Sequence, residues 1–164
     1  MKTEMKLTGV DGVLATLQAL PPELVSARGG PVKLALAKGA RVILAEAKKN
    51  LRTSIAEGGE ESTGLLEKNL VVTRGKPPSS GKGERYLVRV RRKAYPGRRD
   101  SKGAVTVRKT GALMEYGSSR QPAKPWLRPA FRAKAAEAIT VTTSDLVRRL
   151  DLLVRRLAAQ NRET

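Results

Sequence analysis

The stretch from Met114 to Phe131, Met-Glu-Tyr-Gly-Ser-Ser-Arg-Gln-Pro-Ala-Lys-Pro-Trp-Leu-Arg-Pro-Ala-Phe, constrains the fold more than any other part of the chain. It holds the only Trp, the only Phe, one of three Tyr and three of nine Pro. A chain so short of aromatics has few large side chains with which to fill a core, so the place where they gather is where elements meet. Pro122, Pro125 and Pro129 each push the preceding residue toward extended geometry, which predicts a stiff arm from Ser118 to Trp126 rather than a helix. Leu113, Met114 and Tyr116 close an apolar run that reads as a strand, and Gly117-Ser118-Ser119 is turn chemistry. Beyond the arm, Pro129 suits the first turn of a helix that continues through Phe131, Ala135 and Ile139.

Composition narrows the chemistry. The 164 residues suit one domain, 1–164, long enough to bury a core. With no Cys and no His, disulfides, thiolate and imidazole catalysis and the common zinc sites drop out, and no catalytic residue, metal or cofactor is expected. No paired carboxylates stand in an aromatic setting, and Glu115, Glu137, Asp145 and Asp151 read as cap, surface or interface residues rather than catalytic ones. No apolar run reaches membrane-spanning length, and Met1 to Lys6 lacks the apolar stretch of a signal peptide, so synthesis in the cytoplasm and no membrane contact are expected. The formal charge is +18, from 33 basic against 15 acidic residues. Such an excess repels itself, so a polyanion or an acidic partner is expected beside a merely solvated basic surface as the bland alternative.

In chain order, Leu7, Val10, Val13, Leu14, Leu17 and Leu20 recur at helical spacing before Pro21-Pro22. Pro31 sits where an N1 proline starts a long helix whose apolar face carries Val32, Leu36, Ile43, Ala47, Leu51 and Ile55, ended by Gly58-Gly59. Its other side carries Lys33, Lys38, Arg41, Lys48, Lys49 and Arg52. A short helix through Leu65 and Leu66 and a strand over Asn69 to Thr73 follow. Residues 74–85 are rich in Gly, Pro, Ser and Lys and read as a flexible loop. They do not form a phosphate-binding loop, because Gly75 and Gly81 are wrongly spaced and Gly83 follows Lys82. Lys76, Lys82 and Arg85 on this loop are the expected contacts to DNA or to an acidic partner.

Strands are expected at Tyr86 to Lys93, Ala104 to Arg108 and, after a break at Gly111, Ala112 to Tyr116, with a turn from Pro96-Gly97 to Gly103. Thr140-Val141-Thr142-Thr143 reads as a break or a last extended piece, and Ser144 or a neighbouring Thr as the cap of a separate final helix, 144–160. There Leu146, Leu150, Leu153 and Leu157 form a narrow seam that suits either the chain's own core or a neighbouring subunit. The expected architecture is α+β. A long N-terminal helix and C-terminal helices pack on a small antiparallel sheet of three to four strands, with a long basic hairpin loop and a proline-rich arm at 117–129.

The arm carries a resemblance. Tyr116-Gly117-Ser118-Ser119, then Gln121-Pro122-Ala123-Lys124-Pro125-Trp126-Leu127-Arg128-Pro129-Ala130-Phe131, is similar to the signature of small neck or tail-completion proteins of long-tailed bacteriophages. The match is nearly continuous from Glu115 to Ala130. Ser62-Thr63-Gly64-Leu65-Leu66 resembles a second motif of that family, with Ser62 where Asp is usual. The resemblance implies a virion protein, assembled in the host cytoplasm. It would form a homo-oligomeric ring, hexameric or dodecameric, between the head-tail connector and the tail terminator or tail tube. The genome would pass through its lumen, with non-specific DNA contact. Tyr116, Arg120, Pro122, Pro125, Trp126, Leu127 and Arg128 are the expected subunit interface, with Trp126 as the arm's anchoring tip. A tail terminator ring, or a non-sequence-specific nucleic-acid-binding protein, is the alternative.

Overall fold

The computed structural model describes residues 30–58, 62–76, 83–100 and 103–160, with side chains as far as 156. The expected helix at Leu7 to Leu20, and Lys82 of the basic loop, lie outside the described residues. Helix α1 runs Pro31–Ala56 and α2 Leu65–Lys68; strands follow at β1 Leu70–Arg74, β2 Tyr86–Val90, β3 Ala94–Asp100 and β4 Gly103–Thr106; α3 spans Val107–Tyr116 and α4 Leu127–Gln160. The α+β class holds. Among the described residues all strand pairing is antiparallel, and the four strands there form two separate ribbons, β1-β2 and β3-β4, rather than one sheet.

Helix α1 starts where Pro31 places it and ends at the cap residue Glu57. It lies antiparallel to α4: Asn50 donates to the carbonyl of Trp126, Gly39 meets Ala138 and Thr142, and Lys38 pairs with Asp145. Small residues make this contact. Ala35, Gly39 and Ala47 are fully buried, whereas the larger Leu36 and Ile43 line a groove beside it. A Cβ on Gly39 would lie 2.0 Å from Thr142 Oγ1 and 2.7 Å from the Ala138 carbonyl oxygen, so only glycine lets the helices approach this closely.

Three expectations fail, each because packing overrides local pattern. First, the run through Ala112 to Tyr116 is helix, not strand, and so are Val107 and Arg108. Thr106 caps α3 by accepting from the Lys109 N–H, and Val107, Gly111 and Glu115 fall on one buried stripe. Gly111 is no breaker: a Cβ there would press on Leu66 at 3.2 Å and touch Val90 and the Trp126 ring, so the glycine lies in close packing inside the helix. Second, Thr140 to Thr143 do not interrupt α4, which is one helix of 34 residues, about 50 Å long. Thr140 and Thr142 turn their hydroxyls back to the carbonyls of Ala136 and Ala138, and Thr142 packs against Gly39. Ser144 therefore sits inside the helix and caps nothing. Third, Pro96-Gly97 does not begin the reversal. Strand β3 continues to Asp100, with a bulge between Ala94 and Arg99 and Gly97 at φ 70°.

The main core gathers Leu51, Leu66, Leu70, Val107, Trp126 and Ala130 between α1, α3, α4 and the β1-β2 ribbon. A second, smaller cluster joins Ala35 to Leu146 and Leu150, half of the predicted leucine seam, so that half packs within the chain. Replacing Gly39 by Ala should lower stability by about 1–3 kcal/mol through overpacking, read as the urea midpoint. Adding Thr142→Ala should recover part of the loss, because the nearest clashing atom goes while the Ala138 carbonyl stays. An unchanged midpoint in Gly39→Ala would mean that the two helices do not meet there.

Candidate functional site

The junction between α3 and α4 is built on Glu115. The residue is 3 % exposed, and its carboxylate accepts from the backbone N–H groups of Trp126 (2.8 Å), Leu127 (2.8 Å) and Arg128 (3.0 Å). Those are groups that an α-helix leaves unpaired at its start, so a residue 12 positions upstream of Leu127 caps α4. Arg128 closes the arrangement, with Nε on the same carboxylate at 2.9 Å, an amino group on the Glu115 carbonyl at 2.8 Å, and its guanidinium 4.9 Å over the Tyr116 ring. Burial pushes the Glu115 carboxyl up, but the three N–H bonds and the Arg128 guanidinium outweigh that and hold it below its ordinary value.

The proline arm is accordingly folded back rather than extended outward. Ser118 and Gln121 bond to each other in both directions, the Lys124 N–H donates to the Met114 carbonyl, and Gly117 sits at φ 75° with no space for a side chain. Arg120, Pro122 and Pro125 are exposed on this loop, Arg128 is exposed beside it, Tyr116 is 69 % exposed, and Leu127 is half-buried. Trp126 differs from its expected role: at 2 % exposure, with its indole N–H on the Gly111 carbonyl, it belongs to the chain's own core and is not an arm tip free to anchor a neighbour. Its position two residues before Arg128 shows why; the cap that starts α4 draws Trp126 inward.

Of the basic loop, Lys76 and Arg85 are exposed at the base of the β1-β2 hairpin. Between them Glu84 pairs with Arg74 and approaches Lys33 of α1, so not all the local charge is uncompensated.

A second buried carboxylate stands on α4, at a position that the sequence suggested for a cap, surface or interface residue. Asp145, fully enclosed, bonds Lys38 of α1 (2.8 Å) and Arg148 (2.9 Å) and Arg149 of its own helix. The Lys38 ammonium, followed by the Arg149 and Arg148 guanidiniums, holds its carboxyl well below the usual range. The i+3 and i+4 arginines were a legible sign; the Lys38 partner, from 107 residues away, was not.

Along β2 the structure opens a groove that the sequence did not disclose. Its widest part, about 830 Å³, lies between β2 and α3 and is lined by Arg89, Arg91, Arg92 and Arg108 over a floor of Trp126 and Leu127. It shares Leu87, Val88 and Leu127 with an adjoining hollow of about 500 Å³, which reaches Phe131 and Arg132. The groove is apolar below and basic at the rim. Among the described residues, no three His, Cys, Asp or Glu side chains are placed to hold a metal ion. No helix among them is long and apolar enough to cross a membrane. Comparison with protein-family models, with curated proteins and with solved structures finds no match to this chain.

Trp126→Ala should destabilise the monomer by about 3–5 kcal/mol in chemical denaturation, and Glu115→Gln by about 1.5–3 kcal/mol. A Trp126→Ala monomer as stable as the parent would restore Trp126 to an intersubunit role. The pH dependence has a defined sign. Both carboxyls are depressed in the folded state, so their contribution is complete above the ordinary values of 4.5 for Glu and 3.8 for Asp and is lost as the pH falls below them. Thermal midpoints should therefore hold near neutrality and drop below about pH 4.5, and Asp145→Asn should start lower and fall less steeply.

Proposed function

We propose that this chain is a structural protein of the neck of long-tailed bacteriophages, a ring subunit that completes the tail and joins it to the head connector around the passing genome. The observation that carries the reading is the block from Glu115 to Ala130. The residues that resemble the neck-protein signature are those that build the Glu115 cap and the Tyr116–Arg128 contact, so the motif has a coherent structural role in this chain.

The surface supports assembly over catalysis. Tyr116, Phe131, Leu152 and Val154 are large apolar side chains at 47–69 % exposure, and among the described residues each ribbon has two strands with no further strand on its edges. A ring needs two different patches that meet, and the folded-back loop bearing Arg120, Pro122 and Pro125, with Tyr116 and Arg128 beside it, supplies one. The net charge of +18 suits a position against DNA or acidic neighbours, with Lys76, Lys82 and Arg85 as contacts.

Electron microscopy of lysates from a parent phage carrying an early stop codon in this gene tests the reading. Filled heads beside free tails of normal length are expected. Tails of uncontrolled length would make the protein a tail terminator instead, and intact infectious particles would leave a non-structural nucleic-acid binder.

A further inference from the structure

Among the described residues no strand pairs with the outer edge of β2, and that edge has a defined hydrogen-bonding pattern. The Arg91 N–H donates to Asn69 and the Gly75 N–H to Arg85, and the register pairs Val71 with Arg89 and Thr73 with Leu87. Paired residues alternate in an antiparallel ladder, so Leu87 and Arg89 exchange their bonds with β1. Tyr86, Val88 and Val90 consequently turn their N–H and C=O groups away from β1. Val88 and Val90 line the groove described above, opposite α3 and the start of α4.

Around that edge lies one sign of charge. Arg89, Arg91, Arg92 and Arg108 line the wide part and Arg132 the adjoining hollow, and all five are exposed. Among the described residues none of the five forms an ion pair with a carboxylate. Glu115, the carboxylate in the lining, is saturated by its three backbone N–H bonds and Arg128. Leu127 and Phe131 provide apolar surface along the same path.

We propose that this groove binds an extended acidic segment of another protein, which adds as a strand to the free edge of β2. Main-chain bonds to Tyr86, Val88 and Val90 supply the pairing. Apolar side chains on one face of the segment settle against Leu127 and Phe131, and carboxylates on the other meet the arginine rim. Carboxylates fit guanidinium forks bidentately. A second copy of the same region is disfavoured, since it would bring arginines against arginines. A nucleic acid strand would use the arginines but has no amide ladder to match the outward groups of β2. The inference stands on the groove alone and does not depend on the neck reading.

The probe is a fluorescein-labelled peptide of alternating Glu and Val, about twice the length of β2, followed by fluorescence anisotropy with the full chain. Saturable binding is expected, at least about tenfold tighter than that of the same peptide with Lys for Glu. The triple variant Arg89→Gln, Arg91→Gln, Arg108→Gln should weaken it by at least about tenfold, and Val88→Pro should abolish it. Val88→Pro removes an outward N–H while leaving the ladder to β1 paired, a position where a strand tolerates proline, and circular dichroism checks that both variants fold. The reciprocal measurement leaves the protein untouched: backbone N-methylation of alternate peptide residues should abolish binding. Binding that survives both Val88→Pro and N-methylation would overturn strand addition. So would a single-stranded DNA oligonucleotide that binds more tightly than the peptide, is lost in the arginine variant and is indifferent to Val88→Pro; the groove would then belong to nucleic acid.

Discussion

A single buried carboxylate organises the second half of the molecule. Glu115 stands at the end of one helix and satisfies the unpaired amides at the start of another, so the segment between them closes into a loop whose ends are fixed by hydrogen bonds instead of by a sheet. A carboxylate out of water is costly unless its lone pairs are filled, and here backbone N–H groups, an arginine and the partial positive charge of the α4 N-terminus fill them. The direction of α4 follows, and with it the placement of Trp126 over Gly111 and the floor of the groove beside β2. Removing the carboxylate would leave several amides and a guanidinium without partners in one place, which is why its loss acts on more than local structure.

The other end of the fold depends on closeness rather than on size. With one Trp and one Phe in the chain, the α1-α4 contact uses small residues such as Ala35, Gly39 and Ala138, and at Gly39 the helices approach until there is no room for a methyl. Asp145 then ties Lys38 across that contact. Such packing gains from many short-range contacts and tolerates little volume change. Leu152 and Val154, further along α4, lie beyond the buried seam and stay exposed.

What was legible in the sequence were features with local causes. Pro31 set the start of α1, the turn residues and prolines of 117–125 set a non-helical connection, and the alternation in Tyr86 to Val90 set a strand. What failed had non-local causes. Residues 112–116 carry a short apolar run whose period is ambiguous, and the indole N–H on the Gly111 carbonyl and the Thr106 cap favour helix. The β-branched residues at 140–143 look like a break until Gly39, a hundred residues earlier, is brought against Thr142. Of the candidate contact residues, Arg120, Pro122, Pro125, Tyr116 and Arg128 are at the surface because the loop folds back, and Trp126 is not, because its own amide is part of the cap. The groove was invisible because it is made by an absence of pairing, and strand edges leave no mark in composition.

That unpaired edge also bears on how the chain behaves before it meets any partner. A half-apolar strand with outward amides is a template on which copies of one protein stack, and nascent chains in a crowded cell meet it at high local concentration. The arginines flanking β2 place like charges wherever two such edges approach, so repulsion opposes edge-to-edge stacking for as long as the solution does not screen them. At about 0.15 M salt that screening sets in over roughly 8 Å, longer than the spacing between adjacent strands, and the barrier to edge-on stacking survives. In concentrated salt it shrinks to about 3 Å, and the colloidal stability of the purified chain should fall there even though each molecule stays folded.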